Sequence, residues 1–338
     1  MLARAFGLVG KTWKRTPTMS VEASASPRRR SQMPQQQLCH LHGSTPSQRQ
    51  KFPEEQLPGD TVEGSFDLRF AALKSIGEDR VNDRELKLLL KKKHAPICYV
   101  WCDPCPWMHI SQGIMKTLNI NKMVESGFKV KILMADWFSQ MNSEISGNLN
   151  KMRTVGRYNI EMWKATGMAL DKVDLVWLSD EIRRHGDEYW PIVMDIARTN
   201  SVRRIKSVLA YYFRRRHPAW AIFMEDDKED ICFKMEKAFC PPKLAEGNPC
   251  LEYIKYIILP WFGMFEVVQK KGNGGKKTFL SMEELTADYE SGALHPADVK
   301  LALEKSLNEI LQPVRDHFGR NGEAKDLVEA IGECYGAD

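Results

Sequence analysis

The sequence predicts an α/β fold, in which a doubly wound, Rossmann-like parallel sheet is followed by an α-helical C-terminal domain. Short apolar segments and helical segments alternate along the first two thirds of the chain, which is typical of βαβ units with right-handed crossovers. A chain of 338 residues can bury two cores. No apolar run approaches the roughly 18 residues that a membrane span needs, so we expect a globular protein without a transmembrane helix.

Two helices open this alternation, predicted from apolar residues at 68–76 and 86–90. The segment PICYVW then indicates a strand, and the helix after it is predicted to end at Gly127. FKVKILMADWF indicates a second strand because its apolar side chains alternate. The remaining predicted elements of the sheet are a helix at 149–166, a strand at 173–179 and a helix at 188–199.

The first 50 residues are strongly basic, with eight Lys and Arg residues against the single acid Glu22, while the rest of the chain has a net charge of about −2. Its segment SPRRRSQMPQQQ is too polar to bury a core, so residues 1–65 are predicted to be a disordered basic leader. The first 15 residues could form an organelle-targeting amphipathic helix. A leader without a targeting role fits the composition equally well.

Eight dispersed cysteines and no secretory segment predict free thiols in a reducing compartment. Cys98, Cys102 and Cys105 have the C-x3-C-x2-C spacing of some iron–sulfur enzymes. However, Cys98 lies inside a predicted strand, and no glycine-rich cofactor strand follows. We therefore expect no metal site, with Cys98 as a buried small residue and the other two as loop thiols.

The segment MHISQG lies at the carboxyl end of the first predicted strand and at the start of a helix. Backbone N–H groups at such a helix start can face a phosphate, and doubly wound sheets bind ligands at this edge. A single histidine at a helix start is more often a surface residue than a functional one. From the residues alone, both interpretations of His109 stay open.

From about residue 70 to its end, the chain resembles the eukaryotic tyrosyl-tRNA synthetases, most closely those of plants and protists. The segments that carry the resemblance are PICY, MHISQG, VKILMADWFSQMN, EYWPIVMDIAR, IFMEDD, KAFCPPKLAEGNPCLEYIKYIILPWF, GGKKTF, LTADYESGALHPADVK and LNEILQPVRDHF. The resemblance implies a class I nucleotide-binding domain at 66–225 and a helical anticodon-binding domain at 226–338. It implies ATP- and Mg²⁺-dependent activation of tyrosine, transfer to tRNA-Tyr, and a cytoplasmic homodimer. A mitochondrial or plastid location is the alternative if the leader is a transit peptide.

The same resemblance assigns the ATP site. His109 and Gly113 match the ends of the family's HIGH-like motif, where an imidazole donates to triphosphate oxygens and a glycine lets the nucleotide approach the backbone. Ser111 and Gln112 lie between them and are expected to bind ATP with them. Arg215, in the basic segment YFRRRHP, stands where the family has its KMSKS loop. A basic surface linker is the alternative interpretation of that segment.

The resemblance also places Tyr99, at a strand end, and Asp136 beside the tyrosine substrate, and it places Asp298 on an anticodon base. For Asp298 the alternative is an ordinary acid in the first turn of a helix. Asn273 stands where the family stacks an aromatic side chain on a base, a contact of about 1–3 kcal/mol. Four lysines near the GNGG turn are expected to meet phosphate: Lys270, Lys271, Lys276 and Lys277.

Two departures from the family concern the nucleotide-binding domain. The loop before His109 carries bulky residues such as Trp101, Pro106 and Trp107, where the family has glycines that admit ATP. After Val208, roughly 60–70 residues that the family has are missing, a length that implies lost strands and not a shortened loop. The chain is therefore either a tyrosine–tRNA ligase or a non-catalytic tRNA- or protein-binding relic, or an aberrant splice product. Lost strands predict an open sheet edge and exposed apolar surface.

Overall fold

The computed structural model describes residues 62–76, 82–140, 148–205, 221–269 and 275–335. In these ranges the elements are α1 (Val62–Lys74), α2 (Asp83–Lys92), β1 (Ile97–Cys102), α3 (Lys116–Glu125), β2 (Lys129–Met134), α4 (Asp136–Ser139), α5 (Leu149–Ala165), β3 (Val173–Trp177), α6 (Leu178–Arg184), α7 (Gly186–Thr199), α8 (Lys228–Lys237), α9 (Pro249–Tyr253), α10 (Leu259–Phe262), β4 (Phe265–Val268), β5 (Lys276–Phe279), α11 (Met282–Ser291), α12 (Pro296–Arg320) and α13 (Gly322–Tyr335). Turns of π-helix, Ser111–Met115 and Ile254–Ile258, precede α3 and α10.

The first sheet is parallel, as predicted, with the strand order β1-β2-β3. Its register places Ile97 opposite Lys129 and Val130 opposite Val173. The third strand is shorter than predicted and ends at Trp177, because the two residues after it already belong to α6. Helix α1 also starts three residues before residue 65, the predicted end of the leader. In the described parts of the chain, β1 has a paired strand on one side only.

The two faces of this sheet differ in burial. On one face, Ile132 and Met134 of β2 are fully buried, and Gly156 of α5 packs so closely on Met134 and Trp177 that an added Cβ would clash. On the other face, alternate residues of β1 are exposed although they are large and apolar. A sheet wound on both sides is covered by helices on both faces. In the described residues, the exposed Ile97, Tyr99 and Trp101 agree with the expected exposed apolar surface, and an open edge of the sheet stays a prediction.

The cysteines at 98, 102 and 105 follow the prediction in part. Cys105 lies in the loop after β1, as predicted, and is buried. Cys98 is only half-buried, with its Sγ 3.5 Å from the Met123 sulfur. Cys102 is not a loop residue, because β1 continues to it and the strand pleat turns its side chain into the core. In the ranges that the structure describes, no group of three or more His, Cys, Asp or Glu residues is placed to hold a metal ion.

The C-terminal part is mostly helical, but it also contains an unpredicted antiparallel pair, β4 with β5. Its center is α12, which starts with Pro296 after the N-cap His295 and buries a stripe of residues at helical spacing, including Leu303, Leu307 and Ile310. This core is continuous with the core under the sheet. Within the described residues, no helix is both long and apolar enough to cross a membrane.

Candidate active site

Two short segments meet at the end of the sheet. The signature segment (108–113) pairs in antiparallel fashion with the return segment (222–226), where the described chain resumes. Ile110 N–H donates to the Ile222 carbonyl oxygen at 3.0 Å, and Met224 N–H donates to the Met108 carbonyl oxygen at 2.8 Å. The structure thus joins two of the quoted family segments, MHISQG and IFMEDD, although Ile110 and Ile222 are 112 positions apart in the sequence.

His109 caps the helix that the signature segment starts. Its Nδ1 accepts the Ser111 N–H at 3.1 Å and lies 2.7 Å from the Ser111 hydroxyl. Burial, followed by the charge of Lys234, lowers the pKa of His109 to about 4. The imidazole is therefore neutral at pH 7. With Nδ1 accepting, its hydrogen is on Nε2, the nitrogen from which a donor to a phosphate oxygen would have to come.

The backbone donors at this helix start are engaged within the protein. The N–H groups of Gln112 and Gly113 donate to the His109 carbonyl oxygen at 2.7 and 3.2 Å. Ile110 donates to the return segment and Ser111 donates to His109 itself. Contact of this helix start with a phosphate stays a prediction.

Gly113 has a packing role in this structure. A Cβ at this position would lie 2.3 Å from the Met224 sulfur, far inside van der Waals contact. The absence of a side chain therefore lets the return segment lie against the signature helix. Approach of a nucleotide to Gly113 stays a prediction.

A carboxyl group lies behind the signature segment. Glu225 accepts the Met108 N–H through both oxygens, at 3.0 and 3.2 Å, and the Tyr158 hydroxyl lies 3.3 Å from its Oε1. Burial raises the pKa of Glu225 to about 7, although the hydrogen bond from Met108 acts in the opposite direction. The position of the signature segment therefore depends on a carboxyl group that titrates near neutral pH.

A buried ion pair anchors the return segment. Lys234 of α8 donates to both oxygens of Asp226, at 2.6 and 2.7 Å, and Asp226 Oδ2 accepts the Phe223 N–H at 3.0 Å. From α12, the Arg315 guanidinium donates twice to the Asp226 carbonyl oxygen, at 3.1 and 2.9 Å. The C-terminal helices thus hold the segment that positions His109.

Tyr99 and Asp136, the two residues expected at the tyrosine substrate, take no part in the contact between the signature and return segments. Tyr99 is in the middle of β1, not at its end, and it is 55% exposed on the open face of the sheet. Asp136 is fully buried at the end of β2. It accepts the Ser179 hydroxyl at 2.6 Å, the Ser179 N–H at 3.0 Å and Arg153 Nε at 3.3 Å. Its carboxylate therefore ties β2 to α5 and α6.

Two hydrogen bonds connect the loop before His109 to helix α5. Cys105 N–H donates to Asn159 Oδ1 at 3.0 Å, and Asn159 Nδ2 donates back to the Cys105 carbonyl oxygen at 2.8 Å. Pro106 is buried, whereas Trp101 and Trp107 are exposed. The bulky residues of this loop are thus accommodated by packing against α5 and by exposure of the two indoles.

Asp298 lies in the first turn of α12 and only 5% of it is accessible. This favours the helix-start interpretation, and contact with a base stays a prediction. Lys276 and Lys277 of β5 are paired with Glu266 and Asp288, each at 2.6 Å. The other predicted residues of the ATP and anticodon sites lie outside the described residues: Arg215, Lys270, Lys271 and Asn273.

Three residues that hold the signature and return segments in place were not predicted from the sequence: Glu225, Lys234 and Arg315. The acidic run EDD in IFMEDD was the available signal, because consecutive carboxylates beside apolar residues need partners when they are buried. The partner Lys234 is eight residues away and Arg315 is 89 residues from Asp226. No local spacing rule connects residues that far apart.

Comparisons with known proteins agree with the geometry. A family model described as tRNA synthetases class I (W and Y) matches residues 91–219 and 216–312. The cytoplasmic tyrosine–tRNA ligase 1 of Arabidopsis thaliana is 42% identical over 347 residues, covering 81% of this chain and 90% of that protein. The cytoplasmic tyrosine–tRNA ligase 2 of the same plant is 41% identical, covering 78% of this chain and 45% of that protein.

A solved structure gives the same result. The Leishmania major tyrosyl-tRNA synthetase in complex with tyrosinol is 30% identical, with a TM-score of 0.68, and the match covers 79% of this chain and 52% of that one. This chain therefore spans about half the length of the Leishmania protein and of the second Arabidopsis relative. The match with ligase 1 extends over 347 residues, whereas 81% of 338 residues is only about 274. Part of that relative has no counterpart here.

The sheet, the signature segment and the family match define a class I tRNA synthetase of the tryptophan and tyrosine type. Within that class, the chain belongs to the tyrosine–tRNA ligase family, since it shares 42% identity with a tyrosine ligase over nine tenths of that protein's length.

Proposed function

We propose that this chain acts in tyrosine–tRNA ligation: ATP- and Mg²⁺-dependent activation of tyrosine, followed by transfer to tRNA-Tyr. We further propose that its shortened sheet region makes activation the impaired step, while the helical part retains tRNA binding. The observation that carries the proposal is the pairing of the signature and return segments, which positions His109 at the carboxyl end of the sheet.

The described residues fit ATP only in part. His109 is neutral and keeps its hydrogen on Nε2, which suits a donor to a phosphate oxygen. The backbone donors of 110–113 are committed inside the protein. We propose that Arg215 of YFRRRHP, seven positions before Ile222 in the sequence, contributes to ATP binding. We propose that Ser111 and Gln112 act by shaping this helix start.

Tyrosine selectivity is the weakest part of the site. Tyr99 is exposed on one face of the sheet, and the Asp136 carboxylate already accepts hydrogen bonds from Ser179 and Arg153. Discrimination against phenylalanine needs buried partners for the phenol. The unmatched part of the Arabidopsis relative is where we expect those partners to be, and its loss supports slow and poorly selective activation.

A second candidate function is tRNA binding without any tyrosine activation. It is favoured by the open face of the sheet, which leaves the nucleotide-binding half without the strands of a complete doubly wound fold. A folded sample that binds tRNA but shows no detectable exchange of pyrophosphate into ATP would establish this second function. Sequencing transcripts across codons 205–225 would show whether the shortening is encoded.

The proposal includes a homodimer and a cytoplasmic location. Helix α7 exposes Trp190, Ile192, Met194 and Ile196 and contributes no buried residue, so it offers an apolar surface for a second copy. Both Arabidopsis relatives are named cytoplasmic. Analytical ultracentrifugation of the full chain, compared with Ile192→Glu, tests the pairing: the variant is expected to sediment as a monomer, and an unchanged dimer would exclude α7.

The site assignments are tested by two variants with different readouts. His109→Ala should lower any tyrosine-dependent exchange by about 10²-fold or more, the cost of losing one charge-stabilising donor, and leave tRNA binding unchanged. Asp298→Asn should weaken tRNA-Tyr binding while Glu309→Gln, an exposed acid on the same helix, does not. Equal loss of tRNA binding and of exchange in Asp298→Asn would remove it from the anticodon site.

A further inference from the structure

A cluster of two cysteines lies between α8 and α9, outside the signature and return segments. Cys240 follows the end of α8 and is half-buried, and Cys250 is the second residue of α9 and is buried. The Cys250 Sγ lies 3.8 Å from the carbonyl oxygen of Phe239, the residue before Cys240, and Asn248 Oδ1 accepts the Cys250 N–H at 3.1 Å. A thiol that solvent can reach, close to one that it cannot, is the usual arrangement of a reactive cysteine and its resolving partner.

Polar side chains surround the Cys240 sulfur. It lies 3.2 Å from the Tyr289 phenol oxygen and 3.7 Å from Asn248 Nδ2. The Tyr289 hydroxyl donates to the Pro241 carbonyl oxygen at 2.7 Å and accepts from Asn248 at 3.2 Å. Because that hydroxyl is fixed on both sides, the cluster is rigid and keeps Cys240 next to Cys250.

The same contacts shift the pKa values of the two thiols in opposite directions. The hydrogen bond from Cys250 lowers the pKa of Cys240; burial opposes it, and Tyr289, Asn248 and the charge of Lys300 add to the lowering. The pKa of Cys250 is raised by that hydrogen bond and by burial. Cys240 is therefore the thiol that becomes a thiolate first, and the thiolate is the nucleophile.

Cys232 on α8 provides an internal contrast. It is exposed, unlike Cys240. The charge of Glu304, and with smaller effect those of Glu236 and Glu229, raises the pKa of the Cys232 thiol. Accessibility alone would make Cys232 the more reactive of the two, whereas thiolate formation favours Cys240.

We propose that Cys240 is a peroxide-reactive thiol and that Cys250 resolves its oxidation into an intramolecular disulfide. The Cys240 thiolate attacks one oxygen of a hydroperoxide, the O–O bond breaks, and after proton uptake Cys240 is a sulfenic acid and the first water leaves. Cys250 then attacks the Cys240 sulfur, the S–O bond breaks and a second water leaves. The two thiols supply both electrons, and hydrogen peroxide is reduced to two waters.

The test uses the full chain, reduced and then treated with hydrogen peroxide. Trypsin cleaves after Lys237, Lys243 and Lys255 and separates the cysteines into two peptides, 238–243 and 244–255. We expect a linked pair of these peptides that is lighter by two hydrogen atoms than their sum and that dithiothreitol separates. A folded chain that yields no such pair, with folding checked by circular dichroism, would overturn the proposal.

Variants and alkylation rates show whether thiolate formation at Cys240, and not the accessibility of a thiol to solvent, decides which cysteine reacts. In Cys250→Ser the link is lost and the sulfenic acid on Cys240 is captured by dimedone, while Cys232→Ser behaves like the parent chain. In the unmodified protein, iodoacetamide should alkylate Cys240 at least about tenfold faster than Cys232, because one pKa unit corresponds to a tenfold change in thiolate fraction. Faster alkylation of Cys232 would contradict the assignment even if Cys250→Ser fails to fold.

Discussion

The sheet region and the helical region of this protein differ in completeness. In the helical region, α12 buries its apolar stripe; Ile310, for example, is 1% exposed. In the sheet region, alternate apolar residues of β1 are exposed and α7 presents its apolar side chains outward, with Ile192 at 60% exposure. Large apolar side chains such as Leu280 are exposed in the helical region as well, but among the described residues the sheet region exposes more of them.

This difference bears directly on the proposed function, which assigns tyrosine activation to the sheet region and tRNA binding to the helical region. A class I site needs a complete doubly wound sheet around the nucleotide, with ligands at the strand ends. Helices that bind tRNA need only their own core. The region that meets its packing requirements is the helical one, and it also anchors the signature segment through Lys234 and Arg315.

The largest effect should come from breaking the ion pair that joins the regions. Lys234→Met leaves Asp226 buried without its partner, so we expect a loss of about 3–5 kcal/mol in the free energy of unfolding. Lys237→Met, on the exposed side of the same helix, should cost less than about 1 kcal/mol. Urea denaturation measures both. Similar values for the two variants would mean that the pair does not anchor the return segment.

Truncating one isoleucine in each region tests the comparison itself. Ile310→Ala should lower the free energy of unfolding by about 2–5 kcal/mol because it opens a cavity in a filled core. Ile192→Ala should change it by no more than about 0.5 kcal/mol in the monomer. Thermal unfolding at low protein concentration checks this. A large loss for Ile192→Ala would show that α7 is covered in solution.

Gly113→Ala tests the packing role of the signature glycine. The new methyl group would overlap Met224, so we expect a loss of about 1–3 kcal/mol. Combining it with Met224→Ala should give less than the sum of the two single losses, because the smaller side chain makes room. Denaturation of the four proteins completes the cycle. Additive losses would exclude contact between the two positions.

A pH dependence of stability is expected from Glu225. Its pKa is raised to about 7 when folded, from 4.5, so the folded state keeps a proton that the unfolded state releases. Stability should therefore fall as the pH rises from about 4.5 to about 7, by about 3 kcal/mol at about 1.36 kcal/mol per pKa unit, and stay lower above that. Glu225→Gln should remove this slope, and exposed Glu246→Gln should keep it. A slope that persists in Glu225→Gln would have another origin.

Local patterns predicted much of this structure because most of its elements are locally specified. Alternation in VKILM predicted β2, and the helix start that was the alternative interpretation of Asp298 is the start of α12. The end of β3 was misplaced because Leu178 and Ser179 suit a strand as well as a helix start. The pair β4 with β5 was missed because four-residue strands carry too little pattern.

The candidate site was less predictable, since its contacts join distant parts of the chain. His109 and Gly113 could be found because a family motif marks them. The role of Met224 opposite Gly113, or of Arg315 on the Asp226 carbonyl, follows only from packing. Asp136 shows the reverse case, because a residue that a motif suggests for substrate is fully engaged by Ser179 and Arg153.

Impaired activation can be measured as tyrosine-dependent exchange of pyrophosphate into ATP beside tRNA-Tyr binding, on one purified sample of the full chain. We predict exchange at least about 10²-fold below that of the Arabidopsis ligase 1, with tRNA-Tyr bound within about tenfold of that protein's affinity. Exchange at a comparable rate, selective against phenylalanine, would contradict the claim that the shortened sheet region impairs activation.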